Sequence, residues 1–357
     1  MRILGIESSC DDTSVALVES TDQGHIVISE KTASQIDIHK KYGGVVPEIA
    51  GRMHAEKIIP LIEEVLKDQP KPDAISVTSG PGLITGLIVG VEAARTLSYA
   101  LNVPVVSTNH IEGHVYSVEI GQGSIQYPAI ALIVSGGHTE IIYIEKQGEY
   151  RIIGKTKDDA AGECFDKVAK LLDLPYPGGP QISKLAETGS ISAINFPRPM
   201  LREDNFDFSF SGLKTSALYW LRDHKLSGMH LNPLGKIFSW IPIRFGQAGN
   251  PPTINDFCAS FEQAIIDVLV GKTLKAVDKY KPQTIILAGG VAANKKLRET
   301  LDKALGKEDS GCELRAPSYK YCMDNAAMIA AAGYYKAQKK EFTGWKNLKA
   351  DPNWEIA

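Results

Sequence analysis

One stretch near the start of the chain decides the fold: Arg2-Ile3-Leu4-Gly5-Ile6-Glu7-Ser8-Ser9-Cys10-Asp11-Asp12-Thr13. Its apolar half predicts a short strand, and the hydroxyl and carboxylate side chains after it predict a turn into a second strand over residues 14–18. The pattern returns later, where a strand over residues 127–134 leads through Ser135-Gly136-Gly137-His138-Thr139 into a return strand over residues 140–144. Two β-hairpins with small, hydroxyl-rich turns indicate an internal duplication.

Elsewhere, strands alternate with helices, and glycine-rich turns join them. A strand over residues 73–78 runs through Ser79-Gly80-Pro81-Gly82 into a helix over residues 84–101, and a strand over residues 283–287 runs through residues 288–294 into a helix over residues 295–305. This alternation is typical of α/β domains. Glycines at strand ends let backbone amides approach a phosphate, but tight turns in any α/β fold also use glycine, so the nucleotide function of these turns stays open.

The composition is that of an ordinary globular protein. Its 357 residues suffice for roughly two domains, and the net charge of −3 gives no support to a protein that grips nucleic acid over its whole surface. The five cysteines include no Cys-x2-Cys pair, which argues against a disulfide framework or a four-thiolate zinc site. The chain opens directly on a strand and has no uninterrupted apolar run of about 18 residues, so we expect no secretory signal, no membrane span and a cytoplasmic location.

Two histidines, His110 and His114, stand four residues apart in the sequence. On a helix they share one face, which is an arrangement that binds a divalent cation and leaves room for a third ligand and an open position. The third ligand we predict is Asp324, at the start of an apolar helix rich in small residues. Each prediction has an ordinary alternative, namely two polar surface histidines and an aspartate that caps a helix.

Several other segments carry local predictions. Residues 158–172 predict an amphipathic helix with Asp159 as its cap, residues 176–180 a rigid loop before another helix, and residues 254–275 a long helix. The Gly-x-Lys-Thr sequence that begins at Gly212 lacks the upstream glycine of a P-loop, which excludes a P-loop NTPase. Residues 224–253 mix basic and aromatic side chains, and they predict either an insertion that contacts RNA or a surface excursion without an assigned role.

Taken in order, the motifs closely resemble the TsaD family, relatives of the catalytic subunit of the archaeal and eukaryotic KEOPS complex. The resemblance runs from residue 1 to about residue 335, with two departures: the insertion, and Lys184, where many relatives carry aspartate. The segments that carry the resemblance are residues 5–11, 42–48, 110–114, 134–139, 158–167, 176–180, 208–214, 288–294 and 324–325.

The resemblance implies an α/β protein with the actin-like (ASKHA) ATPase fold, built from two duplicated lobes around a central cleft. We place the first lobe at residues 1–108 plus about 325–357, and the second at residues 109–324 with the insertion at about residues 224–253. The implied reaction is an acyl transfer, in which the threonylcarbamoyl group of threonylcarbamoyl-AMP passes to N(6) of the adenosine just 3′ of the anticodon, position 37, with release of AMP. The acceptors are tRNAs that read codons beginning with adenine.

Carried over residue by residue, the resemblance also predicts the site. His110, His114 and Asp324 would hold one Fe²⁺ or Zn²⁺ ion and act in catalysis through it. Binding of the adenylate, and of ATP or other adenine nucleotides, would fall to a second set of residues. That set is Val134, Ser135, Gly136, Gly137, His138, Asp166, Gly179 and Asn294.

The implied partners are a TsaB paralogue, the TsaE ATPase, tRNA, and TsaC or its relative as the supplier of threonylcarbamoyl-AMP, with no membrane involved. Three alternatives stand beside this interpretation: an actin-like ATPase or sugar kinase, a zinc peptidase, and a non-enzymatic scaffold. Glu112 argues against the peptidase, because it lies two positions after His110 rather than one and faces away from the metal on a helix.

Overall fold

The computed structural model describes residues 1–224, 252–307 and 311–356, so the predicted insertion lies almost entirely outside the described residues. The described strands are β1 (Arg2–Glu7), β2 (Asp12–Thr21), β3 (Gly24–Ser34), β4 (Ala74–Gly80), β5 (Val105–Asn109), β6 (Ala129–Val134), β7 (Thr139–Lys146), β8 (Glu149–Lys155), β9 (Thr284–Ala288) and β10 (Glu313–Arg315). The described α-helices are α1 (Ile36–His39), α2 (Pro47–Leu66), α3 (Ile84–Leu101), α4 (His110–Tyr116), α5 (Ala161–Leu171), α6 (Gly178–Ala186), α7 (Ser211–Asp223), α8 (Ile254–Tyr280), α9 (Lys295–Lys307) and α10 (Ala326–Gln338). Short 3-10 helices span Lys40–Tyr42, Ser117–Glu119, Gly290–Ala293 and Tyr319–Tyr321.

The described strands form two five-stranded sheets with the same plan. The first has the order β3-β2-β1-β4-β5 and the second the order β10-β9-β6-β7-β8. In each sheet, two antiparallel strands follow the first strand on one side, and two parallel strands lie on its other side. The two predicted hairpins are β1–β2 and β6–β7, so the predicted duplication is confirmed. The strands of the first sheet lie within residues 2–109 and those of the second within 129–315, while the exact lobe boundaries stay a prediction.

Helix α10 packs against the first sheet and against α4, although it comes after the strands of both sheets in the sequence. Its small residues allow a close approach to strand β1, where a Cβ on Gly5 would lie 2.0 Å from the carbonyl oxygen of Ala326. Further along α10, a Cβ on Gly333 would meet the hydroxyl of Ser76, on strand β4, at 2.2 Å. Glycine is therefore required at both positions by space rather than by backbone conformation. This helix and α4 share one buried cluster with residues of both sheets, which fixes the lobes around a common core.

Helix α3 is the one described helix that is long and apolar enough to cross a membrane, by length and composition alone. Its apolar run is interrupted by Glu92 and Arg95, and its Leu87 and Val91 side chains are buried in the core of the first lobe. Arg95 also donates hydrogen bonds to backbone carbonyls of the C-terminal segment. Buried helices of α/β domains share this length and composition.

The C-terminal segment after α10 crosses from the first sheet to the second. Thr343 forms an isolated antiparallel bridge with Val105 of β5, and the Glu355 carboxylate pairs with the Lys155 ammonium of β8 at 2.9 Å. Ile356 is only 4% exposed, in the core that both sheets share. The segment therefore ties the two halves of the molecule together.

Two local predictions about helix starts are wrong. Asp159 does not cap α5, because its carboxylate binds the ammonium groups of Lys167 and Lys214 at 2.9 and 2.6 Å, and the Thr139 hydroxyl accepts the Ala161 amide instead. The predicted loop over residues 176–180 is shorter than expected, since α6 already begins at Gly178. Pro180 lies in the first turn of α6, where a proline is tolerated because the backbone amide that it lacks would have no partner within the helix.

Candidate active site

Helix α4 places the two histidines on one buried face. It begins directly after β5, where the Asn109 side chain accepts the backbone amides of Ile111 and Glu112 at 2.9 and 3.4 Å and so caps the helix. All seven residues of the helix are buried, and the imidazole ring centroids of His110 and His114 lie 4.7 Å apart. The alternative of two polar surface histidines is therefore excluded.

Asp324 joins the histidines from the far end of the sequence. Its Oδ1 lies 3.5 Å from His110 Nε2 and 3.4 Å from His114 Nε2. The three potential ligand atoms lie within 4.8 Å of one another, and within the described ranges no other group of three metal-ligating side chains is this compact. The alternative that Asp324 caps α10 is wrong, because the side chain of Asn325 accepts the Met328 amide at 2.9 Å and serves as the cap.

The donor set fits a divalent cation. His114 is fully buried, yet neither of its ring nitrogens has a hydrogen-bond partner among the described residues. An unpaired buried polar atom is costly unless something else satisfies it, and a metal ion between His114 Nε2 and Asp324 would do so. Two imidazoles and one carboxylate, with an open position, suit both Zn²⁺ and Fe²⁺.

Glu7, which the sequence reasoning missed as a site residue, lies behind His110. It ends strand β1 and is fully buried, and its Oε2 lies 3.0 Å from His110 Nδ1. The Thr78 hydroxyl donates to the same oxygen at 2.7 Å, and the Ser9 amide donates to Oε1 at 2.6 Å. The only hint in the sequence was a carboxylate at the end of an otherwise apolar strand.

Burial and the carboxylates of Asp324 and Glu7 together shift the pKa values of the two histidines. Burial lowers the pKa of His110, but the charges of Asp324 and Glu7 outweigh burial and raise that pKa to about 9. For His114, burial prevails and lowers the pKa. Burial raises the pKa of Asp324, but the two histidines outweigh it, so this pKa falls below its ordinary value and the carboxylate is ionised.

The turn of the second hairpin forms an open loop beside the histidines. The Ser135 amide donates to the His138 carbonyl at 2.8 Å, and the His138 amide donates to the Ser135 hydroxyl at 3.1 Å. Gly136 and Gly137 are exposed, and a Cβ on either would meet nothing within 4 Å. Burial, with the neighbouring imidazoles of His110 and His114, lowers the pKa of His138 to about 4. The loop thus combines free space around its glycines with a position beside the predicted metal ligands His110 and His114.

A second glycine turn, which follows β9, meets this loop at the carboxyl ends of the strands. Gly289, with a φ of +91°, lies so close to Val134 that a Cβ there would stand 2.4 Å from the Val134 carbonyl oxygen. Such a φ favours glycine, so both the conformation and the space require it here. The predicted site residues around this point follow the carboxyl ends of β5, β6 and β9, which is where open α/β sheets bind ligands.

Asp166 and Gly179 meet where α5 and α6 touch. Asp166 Oδ1 accepts the amide of Gly178 at 2.7 Å, next to Gly179. Burial raises the pKa of Asp166 above its ordinary value, with hydrogen bonds from the Gly178 and Gly179 amides opposing it. The structure thus brings Asp166 and Gly179 together as a pair.

Asn294 uses its side chain within the protein. Its Nδ2 donates to Glu262 Oε1 at 2.6 Å and to the Ser183 hydroxyl at 2.9 Å, while its Oδ1 accepts the Leu297 amide at 2.8 Å and caps α9. Lys184, the predicted departure, lies on the exposed side of α6. It is therefore Ser183, one residue earlier, that faces Asn294 and Glu262.

A separate cavity lies away from these residues. It is a groove of about 990 Å³ next to residues 195–203 and helix α8, and none of the predicted site residues lines it. We assign the site by the convergence of chemical groups at the strand ends rather than by cavity volume, because ligand recognition needs polar groups in a defined arrangement.

Comparisons with known proteins identify the family. Residues 26–331 match the family model described as TsaD: tRNA N6-adenosine threonylcarbamoyltransferase. The chain is 44% identical over its whole length to the tRNA N6-adenosine threonylcarbamoyltransferase of Bacillus subtilis (strain 168), of which it covers 96%. It is 45% identical to the protein of the same name from Geotalea uraniireducens (strain Rf4), covering 100% of this chain and 97% of that one.

Solved structures show the fold. HypF of T. kodakarensis aligns with a TM-score of 0.60 at 11% identity, over 97% of this chain and 49% of HypF. Component A of the Acidaminococcus fermentans (R)-2-hydroxyglutaryl-CoA dehydratase aligns with a TM-score of 0.50 at 13% identity, over 95% and 99% of the two chains. Both have the actin-like fold, so the predicted fold class is confirmed. By its full-length sequence similarity, the chain belongs to the TsaD family of tRNA N6-adenosine threonylcarbamoyltransferases.

Proposed function

We propose that this chain transfers the threonylcarbamoyl group of threonylcarbamoyl-AMP to N(6) of the adenosine next to the anticodon, in tRNAs that read codons beginning with adenine. AMP is the leaving product. The observation that carries the proposal is the convergence of His110, His114 and Asp324 beside the open glycine loop that follows β6. A nucleotide-binding fold alone would not need this convergence.

In this proposal, His110, His114 and Asp324 hold one divalent metal ion, either Fe²⁺ or Zn²⁺. When bound, the ion supplies Lewis acidity at the threonylcarbamoyl group. The role of the three side chains is to hold that end of the substrate in one place. Because the substrate arrives as a reactive mixed anhydride, the reaction requires no Ser-His-Asp arrangement.

The remaining predicted residues would bind the adenylate. Exposed backbone amides around Gly136 and Gly137 suit the phosphate, since amides that point outward from a turn bind anions. The Asp166 carboxylate, close to Gly179, would accept a ribose hydroxyl, and ATP or another adenine nucleotide would occupy the same place. His138 would contact the substrate between the loop and the metal ligands.

We further propose a cytoplasmic enzyme that works with a TsaB paralogue and the TsaE ATPase, on adenylate supplied by TsaC or its relative. Exposed isoleucines on α2 and α3 support a protein partner: Ile59 is 50%, Ile84 is 42% and Ile88 is 48% exposed. The net charge of −3 fits a tRNA-binding surface that the partners supply in part.

The two enzymatic alternatives fit the site less well. A sugar kinase or a plain ATPase does not need two histidines and an aspartate around a shared point. A zinc peptidase needs a carboxylate that activates water beside the metal, but the Glu112 carboxylate accepts from the Tyr150 hydroxyl at 2.9 Å and pairs with the Lys336 ammonium at 2.7 Å on the other side of α4.

The test combines the chain and its partners with threonylcarbamoyl-AMP and an unmodified tRNA, and detects the modified nucleoside by mass. We expect activity and about one metal ion per chain, and loss of both in His110→Ala and Asp324→Ala. Asp73→Ala, which removes a carboxylate on the opposite end of the strands, is the matched control and keeps both. A metal-free chain that is fully active, or steady phosphorylation of a sugar without tRNA modification, would contradict the proposal.

A further inference from the structure

We propose that Glu7 is a positioning residue, which fixes the tautomer and the orientation of His110 for metal binding. The inference rests on the proposed metal site and adds a residue to it. Glu7 is fully buried at the end of β1, and its Oε2 lies 3.0 Å from Nδ1 of the His110 imidazole.

The hydrogen bonds of Glu7 determine which atom carries the proton. The Ser9 amide can only donate, and it donates to Oε1 at 2.6 Å. The Thr78 hydroxyl donates to Oε2 at 2.7 Å. A carboxylate that receives both donors acts as an acceptor, so the Nδ1–H of His110 must donate to it.

This donation leaves the opposite ring nitrogen free for a metal. With the proton on Nδ1, the lone pair of His110 lies on Nε2, the atom that is 3.5 Å from Asp324 Oδ1. The same bond fixes the plane of the His110 ring, because Glu7 is itself held in place. It ends β1 and accepts hydrogen bonds from Thr78 of β4 and from Ser9 of the turn. Metal-binding histidines commonly have a second-nitrogen partner of this kind, which also raises their basicity as ligands.

The two histidines differ in this respect. His114 Nδ1 has no hydrogen-bond partner among the described residues, whereas His110 Nδ1 has Glu7 and also lies 3.2 Å from the Ser9 hydroxyl. The first hairpin therefore controls one ligand of the pair. Since Glu7 ends β1 and Ser9 lies in the turn that follows it, the proposed metal site is joined directly to the first lobe.

The test is Glu7→Gln in the full chain, with zinc affinity measured by competition against a chelator. Glutamine keeps the shape of the side chain, but it has one acceptor oxygen for two donors, and its amide would donate to Nδ1 and place the proton on Nε2. We expect zinc to bind about 10- to 100-fold more weakly. Glu119→Gln is the matched control, because it removes the charge of another buried carboxylate that pairs with an imidazole, that of His25 at 3.1 Å, and leaves the Glu7–His110 bond in place. We expect its affinity to stay within about threefold of wild type.

A second measurement, on the wild-type chain, does not depend on whether Glu7→Gln folds. In the zinc-loaded wild-type chain with ¹⁵N-labelled histidine, the His110 ring signal, identified by its loss in His110→Ala, should show a protonated Nδ1 protected from exchange. A metal-bound Nδ1 would overturn the inference, as would an equal loss of affinity in Glu7→Gln and Glu119→Gln, or a Glu7→Gln chain that binds zinc like wild type. If the wild-type chain binds no metal, the proposed metal site itself fails, so the two failures are distinguishable.

Discussion

Replacing Asn294 with alanine should destabilise the protein even when no ligand is present. Asn294 is a predicted adenylate-binding residue, but its side-chain amide donates to the buried Glu262 carboxylate and to Ser183, and its side-chain oxygen accepts the Leu297 amide. Both functional ends of the side chain are therefore already engaged within the protein. We expect the alanine variant to report first on scaffold stability and only then on ligand binding.

The magnitude follows from the two contacts that are lost. A hydrogen bond to a buried charged group contributes about 1.5–3 kcal/mol, and Glu262 is only 6% exposed. Loss of an N-terminal helix cap costs about 1 kcal/mol. Since the contacts share one side chain and are not fully additive, we expect Asn294→Ala to lower the free energy of unfolding by about 2–4 kcal/mol.

Urea unfolding of the ligand-free chain, followed by circular dichroism, measures this loss. Ser183→Ala is the comparison variant, because it removes one partner of Glu262 but leaves the Asn294–Glu262 bond and the helix cap, and we expect it to cost about 1 kcal/mol less than Asn294→Ala. Asn294→Ser keeps a capping oxygen and should recover about 1 kcal/mol relative to alanine. If Asn294→Ala changes the unfolding free energy by less than about 0.5 kcal/mol while adenylate binding falls sharply, the scaffold role is refuted.

Three further predictions follow from the packing and the charges. Ile88→Asp, at an exposed position of α3, should abolish association with the TsaB paralogue in size-exclusion chromatography, while the unfolding free energy of the isolated chain changes by less than about 0.5 kcal/mol; unchanged association would exclude this face. Gly5→Ala places a Cβ 2.0 Å from the Ala326 carbonyl oxygen, so the variant's free energy of unfolding should fall by about 1–3 kcal/mol or more. Its melting temperature and its metal content should both fall, and a variant as stable as wild type would contradict the packing. Burial is the main cause that raises the pKa of Asp12 from its ordinary 3.8 to about 7, so in metal-free protein its contribution to stability is present below about pH 4 and is lost as the pH rises through about 7. Asp12→Asn should remove that loss and gain roughly 2–4 kcal/mol over wild type between pH 4 and pH 8 in urea titrations; a gain independent of pH would show that ionisation is not its cause.

Local patterns predicted the elements of the fold well. The alternation of apolar strands and small turns located both hairpins, and the helix predicted over residues 84–101 is found as Ile84–Leu101. These features depend on neighbours in the sequence, so a single chain is enough to read them. The place of Asp324 before an apolar helix made it the candidate partner of His110 and His114, and the resemblance to the TsaD family supported this choice. The structure places the three side chains around one point.

What the sequence did not reveal depends on contacts between distant residues. The bond between Glu7 and His110 joins positions 103 residues apart, and nothing in either motif indicates it. Asp159 was predicted as a cap because it precedes a helix, but Lys214, 55 residues further on, binds its carboxylate instead. The internal use of the Asn294 side chain also escaped prediction, since Glu262 lies on a separate helix. Residues 225–251 of the predicted insertion lie outside the described part of the chain.

The position of α10 against the first sheet has a consequence for how the molecule is made. Strand β1 is synthesised before the other elements of this fold, yet the helix that covers it, and the aspartate just before that helix, are translated more than 300 residues later. Nascent domains usually fold in the order of their synthesis. Here the first sheet must wait, with one apolar face uncovered, until α10 has been synthesised, so a ribosome stalled before residue 324 would hold a chain that lacks both the helix that covers this sheet and the proposed third metal ligand.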